Sequence, residues 1–144
     1  MNPAIQIRDS IITRLQDELR DLLPSGQIRG QLDVSGEPRG DRGLVVSCED
    51  LGGHGGMPGR ILVDVKANIT AFTHLEEDQA GAKLDELVSE VMTAVEGLNY
   101  SLEGWAVGFP GVWQSAPYEI MDNSFRACTI SATLFLQTTT FTTR

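Results

Sequence analysis

Cysteine, histidine and tryptophan are scarce, with two of each in 144 residues. Cys48 and Cys128 lack CxxC spacing and sit in β-like runs, so both read as buried free thiols rather than metal ligands. His54 and His74 are too few for a histidine-built metal site. Around His74 only Glu76, Glu77 and Asp78 stand near, and that cluster equally suits the wet start of a helix. Long hydrophobic runs are missing too. No stretch approaches the ~18 apolar residues of a membrane-crossing helix. The N-terminal "MNPAIQIRDSIITRLQDELRDLLP" breaks its apolar pattern with charge, unlike a secretory leader. A chain made and folded in a cytoplasm is the expectation.

Positive charge is also short. Eleven bases face twenty acids, a net charge of −9. Between His74 and Glu103, eight acids face the single base Lys83, a net of −7. Such a chain repels nucleic acid and cannot grip its backbone by counterion release. It can still stand beside DNA if its task is to avoid sticking.

The length suits one domain, 1–144, able to fold on a core without staples. Asn2 as a cap and Pro3 at the first helical position open a helix running to Leu23. Ile5, Ile12, Leu15, Leu19 and Leu22 supply its expected buried stripe, and Pro24-Ser25-Gly26 its stop. Three β-like runs follow: Gln27–Val34, Gly43–Leu51 and Arg60–Phe72. In the last of these, Ile61, Val63, Val65, Ala67, Ile69 and Ala71 alternate with polar residues. A second helix is expected from about Asp78 to Glu96, with Ala80, Leu84, Leu87, Val88, Val91 and Val95 inward. Gly81 weakens its first turn and Gly97 stops it. Two strands broken near Pro110-Gly111 come next. A tight turn at Asp122–Ser124 then leads into a long terminal strand alternating Cys128, Ile130, Ala132, Leu134 and Leu136 with Thr129, Ser131, Thr133, Phe135 and Gln137. The expected class is α+β, a mostly antiparallel sheet packed by two helices in the order α-β-β-β-α-β-β-β.

"LGGHGGMPGR", Leu51–Arg60, is the stretch most suggestive of a site. Counted from Gly53, the sixth position of a G-x-G-x-x-G is Pro58, and a strand follows where a dinucleotide site needs a helix. No lysine-serine or lysine-threonine pair completes a P-loop. Read physically, this is a flexible hairpin loop, its glycines permitting positive φ and Pro58 breaking the pairing. No G-x-S-x-G occurs, and no cysteine lies near a histidine in sequence. No enzyme activity, catalytic residue, metal or cofactor is expected. Trp105, Phe109, Trp113 and Tyr118 cluster in one Gly- and Pro-containing segment. They either cover one end of the core or anchor a subunit interface, and Phe135 joins them in the second case.

In order and style the chain resembles the tail terminator and tail-completion proteins of long-tailed bacteriophages. "MNPAIQIRDSIITRL" is similar to their opening helix. "ILVDVKANITAFTHLEEDQAGAKLDELVSEVMTAV" is similar to their central strand and helix, and "RACTISATLFLQTTT" to their last strand. The likeness covers most of Met1–Thr140. Ser35–Gly43 and "HGGMPG" match no part of the family's pattern. The resemblance implies a structural virion protein assembled in the host cytoplasm, forming a homo-oligomeric and hexameric ring. Such a ring caps the tail tube, ends its polymerisation and docks to head or neck connector proteins. DNA passes through without specific binding, and no membrane is involved. Glu86, Glu90 and Glu96 are the candidate channel-lining acids, since carboxylates let phosphates slide. Trp105, Phe109, Trp113, Tyr118 and Phe135 are the candidate interface residues. A head–tail connector of the same virion is the alternative within this class. A small acidic enzyme or ligand-binding domain with a pocket under the Gly52–Gly59 loop is the alternative outside it.

Overall fold

The computed structural model describes residues 3–23, 27–30, 42–54, 60–78, 81–96, 98, 100, 102, 104–109, 111–121 and 123–139. Helices α1 (Pro3–Glu18) and α2 (Ala82–Glu96) accompany seven strands. These are β1 (Ile28–Gly30), β2 (Arg42–His54), β3 (Arg60–His74), β4 (Ala106–Phe109), β5 (Gln114–Ser115), β6 (Glu119–Met121) and β7 (Phe125–Thr139). The class is α+β and the sheet is mostly antiparallel. The expected order needs correction, because four strands rather than three follow α2.

Strand order is β1-β2-β3-β7-β4, with β5 and β6 also pairing β7. Beta-4, β5 and β6 are thus three short pieces of one interrupted margin along β7. Gly111 helps explain the interruption. It has φ +80°, and a Cβ there would collide with the Thr133 carbonyl. At the other margin β1 runs parallel to β2, against the expected hairpin pairing. Its link, residues 31–41, lies outside the described residues, as do the rest of the expected strand Gln27–Val34 and the stop at 24–26.

The alternation legible in the long strands fixes which face each one buries, and the observed register matches those faces. Val65 stands opposite Leu134, Ala67 opposite Ala132, Ile69 opposite Ile130 and Ala71 opposite Cys128. These residues are buried and join one core with Ile7, Ile11 and Leu15 of α1 and Leu84, Leu87 and Val91 of α2. Each fully buried Ile or Leu there contributes roughly 1.5–3 kcal/mol. The opposite face presents Asn68, Thr70, Thr129, Ser131 and Thr133, half-buried, with the Thr70 and Thr129 hydroxyls 3.1 Å apart.

The stripe of α1 is rotated from the expected one. Ala4, Ile7, Ile11, Leu15, Leu19 and Leu23 are buried, Ile12 and Leu22 are half-buried, and Ile5 is 41% exposed. The helix ends at Glu18 and continues to Leu23 only as turns, with the Leu23 amide donating to the Leu19 carbonyl. Beta-2 extends past Leu51 to His54. Asp50 faces Val65 and Gly53 faces Val63, so Leu51 and Gly52 together oppose Asp64 in a bulge. Gly52 takes φ +94° there, and its amide donates to Asp50 Oδ1 at 2.8 Å. The first half of the glycine-rich stretch is therefore strand, and residues 55–59 lie outside the described residues.

Candidate functional site

Alpha-2 carries the three acids expected to line a channel, and its first turn is built by a residue outside it. The helix begins at Ala82 rather than near Asp78. Gly81, with φ +78°, occupies the cap position, its carbonyl accepting from the Asp85 amide at 3.0 Å. Lacking a side chain, Gly81 cannot cap the free amides of the first turn. Asp78 does so from three residues upstream. Its Oδ1 accepts from the Lys83 amide at 2.9 Å and its Oδ2 from the Leu84 amide at 3.0 Å. The Thr73 hydroxyl of β3 donates to the same Oδ2 at 2.9 Å, tying helix to sheet. Burial alone would raise the Asp78 pKa. The Lys83 amide, the Thr73 hydroxyl, the Leu84 amide and the Arg126 charge outweigh it and hold the carboxyl below its usual value.

Asp78 is buried, whereas Glu76 and Glu77 are exposed in the preceding turn. His74 Nδ1 accepts from the Glu76 amide and its ring meets Phe125 edge-on, so this cluster is spent on local structure. Among the described residues, no group of three His, Cys, Asp or Glu side chains is placed to hold a metal ion.

Glu86, Glu90 and Glu96 are all exposed on the wet face of α2. Glu86 and Glu90 stand one turn apart, while Glu96 lies round the helix from that line. Asp85 points instead toward the β5–β6 margin, where the Tyr118 hydroxyl donates to its Oδ1. That bond, joined by burial and the Asp85 charge, pushes the Tyr118 phenol up to about 12.

The five candidate interface aromatics divide. Trp113 is a core residue, 9% exposed. It retains little surface to offer a sibling. Trp105 is half-buried against the same core. Tyr118 and Phe135 are exposed, at 43% and 40%. Phe109 pairs with Phe135 in backbone register, and its side chain lies outside the described residues. Ile5, Leu51, Val112 and Ile120 are further exposed large apolar residues that sequence reasoning missed. Val112 and Phe135 line a groove of about 290 Å³ with Gln114, Ser131 and Thr133, on the sheet face away from the helices. No periodicity marks Val112 or Ile120, because the interrupted margin has no regular alternation.

A second, wider groove of about 620 Å³ runs along α1, lined by Gln6, Asp9, Thr13, Arg14, Asp17 and Leu98. Arg14 is committed there, donating to the Ala94 carbonyl at 3.0 Å and pairing with Glu18 at 3.3 Å. Both cysteines are free, Cys128 buried as expected and Cys48 only half-buried. Burial pushes the Cys48 thiol up to about 12, and it raises Cys128 although the Ala116 carbonyl accepts from Sγ at 3.4 Å. Neither is a ready nucleophile. Among the described residues, no helix is long and apolar enough to cross a membrane.

No family model and no curated protein matches the sequence. Ten solved chains match in structure. One of them, whose title states no function, is similar over 100% of this chain and 99% of that chain, at 15% identity and a TM-score of 0.61. At that identity the likeness shows the fold alone.

Proposed function

We propose that the chain, as one domain over 1–144, is the subunit of a ring that caps the tail tube of a long-tailed bacteriophage. The ring ends tube polymerisation and gives the head or neck a docking surface, in the virion and without catalysis. The resemblance of the opening helix, the central strand–helix unit and the last strand to tail terminators supports this reading. The observation that carries it lies on the sheet face away from the helices, where exposed Val112 and Phe135 line one groove. Apolar side chains exposed side by side mark surfaces that partners cover. Exposed Glu86 and Glu90, one turn apart on α2, and Glu96 further round it supply the complementary property, carboxylates past which phosphates slide.

The test is tube growth. Tail tube protein polymerising alone gives tubes of unlimited length. Added chain is expected to shorten them and leave extra density on one end in negative stain. Tubes of unchanged length with bare ends would refute the terminator role.

A further inference from the structure

Seven successive residues, Gln114–Ile120, are all exposed although they run along the edge of a core strand. What holds them is sparse. Gln114 and Ser115 pair with Ser131 and Ile130, and Glu119 and Ile120 pair with Ala127 and Arg126. Between these pairs the Ala116 amide donates to the Thr129 carbonyl at 2.8 Å, and Pro117 has no N–H to give. Tyr118 reaches sideways instead, its hydroxyl donating to Asp85 in the first turn of α2. With all seven side chains exposed, apolar burial adds little to these bonds.

The ends of the segment are firmer. Upstream, Trp113 is buried in the core, and Gly111 sits so close to Thr133 that a Cβ would meet its carbonyl oxygen. Downstream, the Ser124 carbonyl accepts from the Leu75 amide at 2.9 Å, and the Phe125 ring meets Phe72 edge-on at 5.4 Å. Behind the middle lie Ala127, Cys128 and Ile130, each fully buried. Cys128 touches the segment directly, its Sγ donating to the Ala116 carbonyl at 3.4 Å. The Asp85 charge reaches both Tyr118 and Cys128, so the three groups stand close together.

We propose that Gln114–Ile120 is a strap that swings off β7 while the rest of the fold stays closed, latched by the bond from Tyr118 to Asp85. Firm ends and a lightly held middle make it a unit of local opening. Swung away, it bares the Cys128 thiol and the outward amides and carbonyls of β7 from Ala127 to Ser131. A bared strand edge invites pairing by another strand, so the latched strap keeps this edge closed. The device belongs to the single protomer and holds whether or not copies assemble.

Alkylation of the native chain by iodoacetamide at pH 8 tests this, with the Cys128 peptide read by mass spectrometry apart from the Cys48 peptide. Cys128 is expected to react slowly, at a rate that barely changes across low urea concentrations, because local opening exposes little surface. Tyr118→Phe removes the latch hydroxyl and is expected to speed that reaction about three- to tenfold. Ile11→Val, a change of similar cost in the core beneath α1, is expected to leave the rate unchanged, because the strap opens without unfolding the core. The strap is overturned if Cys128 reacts only as steeply with urea as the whole chain unfolds, or if Tyr118→Phe leaves its rate unchanged. It is overturned equally if Ile11→Val speeds the reaction as much as Tyr118→Phe does.

Discussion

Replacing Asp78 with alanine removes the clasp that starts α2 and ties it to β3. Three bonds go at once, from the Lys83 and Leu84 amides and the Thr73 hydroxyl. A lost cap costs about 1 kcal/mol, and stranding a buried hydroxyl costs about 1–3 kcal/mol more. Asp78→Ala is therefore expected to lose roughly 3 kcal/mol, which lowers the melting temperature of a chain this size by about 6–12 °C. Asp78→Asn keeps one acceptor and loses roughly half of that. Because the native carboxyl sits below its usual value of 3.8, its stabilisation is fully present above that value and fades as pH falls through the native one. Thermal melts followed by circular dichroism at pH 7 and near pH 2 read both effects. The gap between native chain and Asp78→Asn is expected to be wide at pH 7 and narrow in acid. An alanine variant melting within about 2 °C of the native chain, or a gap that widens in acid, would refute the clasp.

Two further outcomes separate fold from surface. Trp113→Ala is expected to cost roughly 3–5 kcal/mol of folding stability in the monomer, read by denaturant titration, because the indole fills the core. A loss confined to assembly, with folding untouched, would instead place it at a contact. Cys48, its thiol pushed up to about 12, is expected to resist a thiol reagent at pH 8 until denaturant is added. Immediate labelling of two thiols per chain in native buffer would contradict the raised pKa of half-buried Cys48 and the burial of Cys128.

The long strands were legible because they obey period two on a sheet with one apolar face. The alternation from Val63 to Ala71 and from Cys128 to Leu136 predicts which face each strand buries, but not that β3 pairs with β7. Alpha-1 was legible as a helix but not in its rotation. Ile5 fits the spacing of an apolar stripe as well as Ile7 does, and only packing against the sheet decides between them. Beta-1 and its parallel partner were not legible, since three residues carry no period. The glycines after Leu51 read as a loop because a bulge and a loop both favour glycine. Asp78 left a usable signal, an acid three residues before a glycine at a helix start, yet nothing local says that it will be buried. Trp113 shows the limit on the candidate site. An aromatic beside Pro110-Gly111 suits an interface or a core, and only the packing of the folded chain settles which. Glu86, Glu90 and Glu96, read as channel-lining acids, are each exposed, and a single protomer does not say what they face.

The central claim is that this protomer is completed by copies of itself. The particle mass of the native chain, measured by sedimentation equilibrium across a hundredfold range of concentration, tests it most directly. A ring subunit gives a mass that settles on a fixed multiple of 15.7 kDa as concentration rises. A mass of 15.7 kDa at every concentration would contradict it.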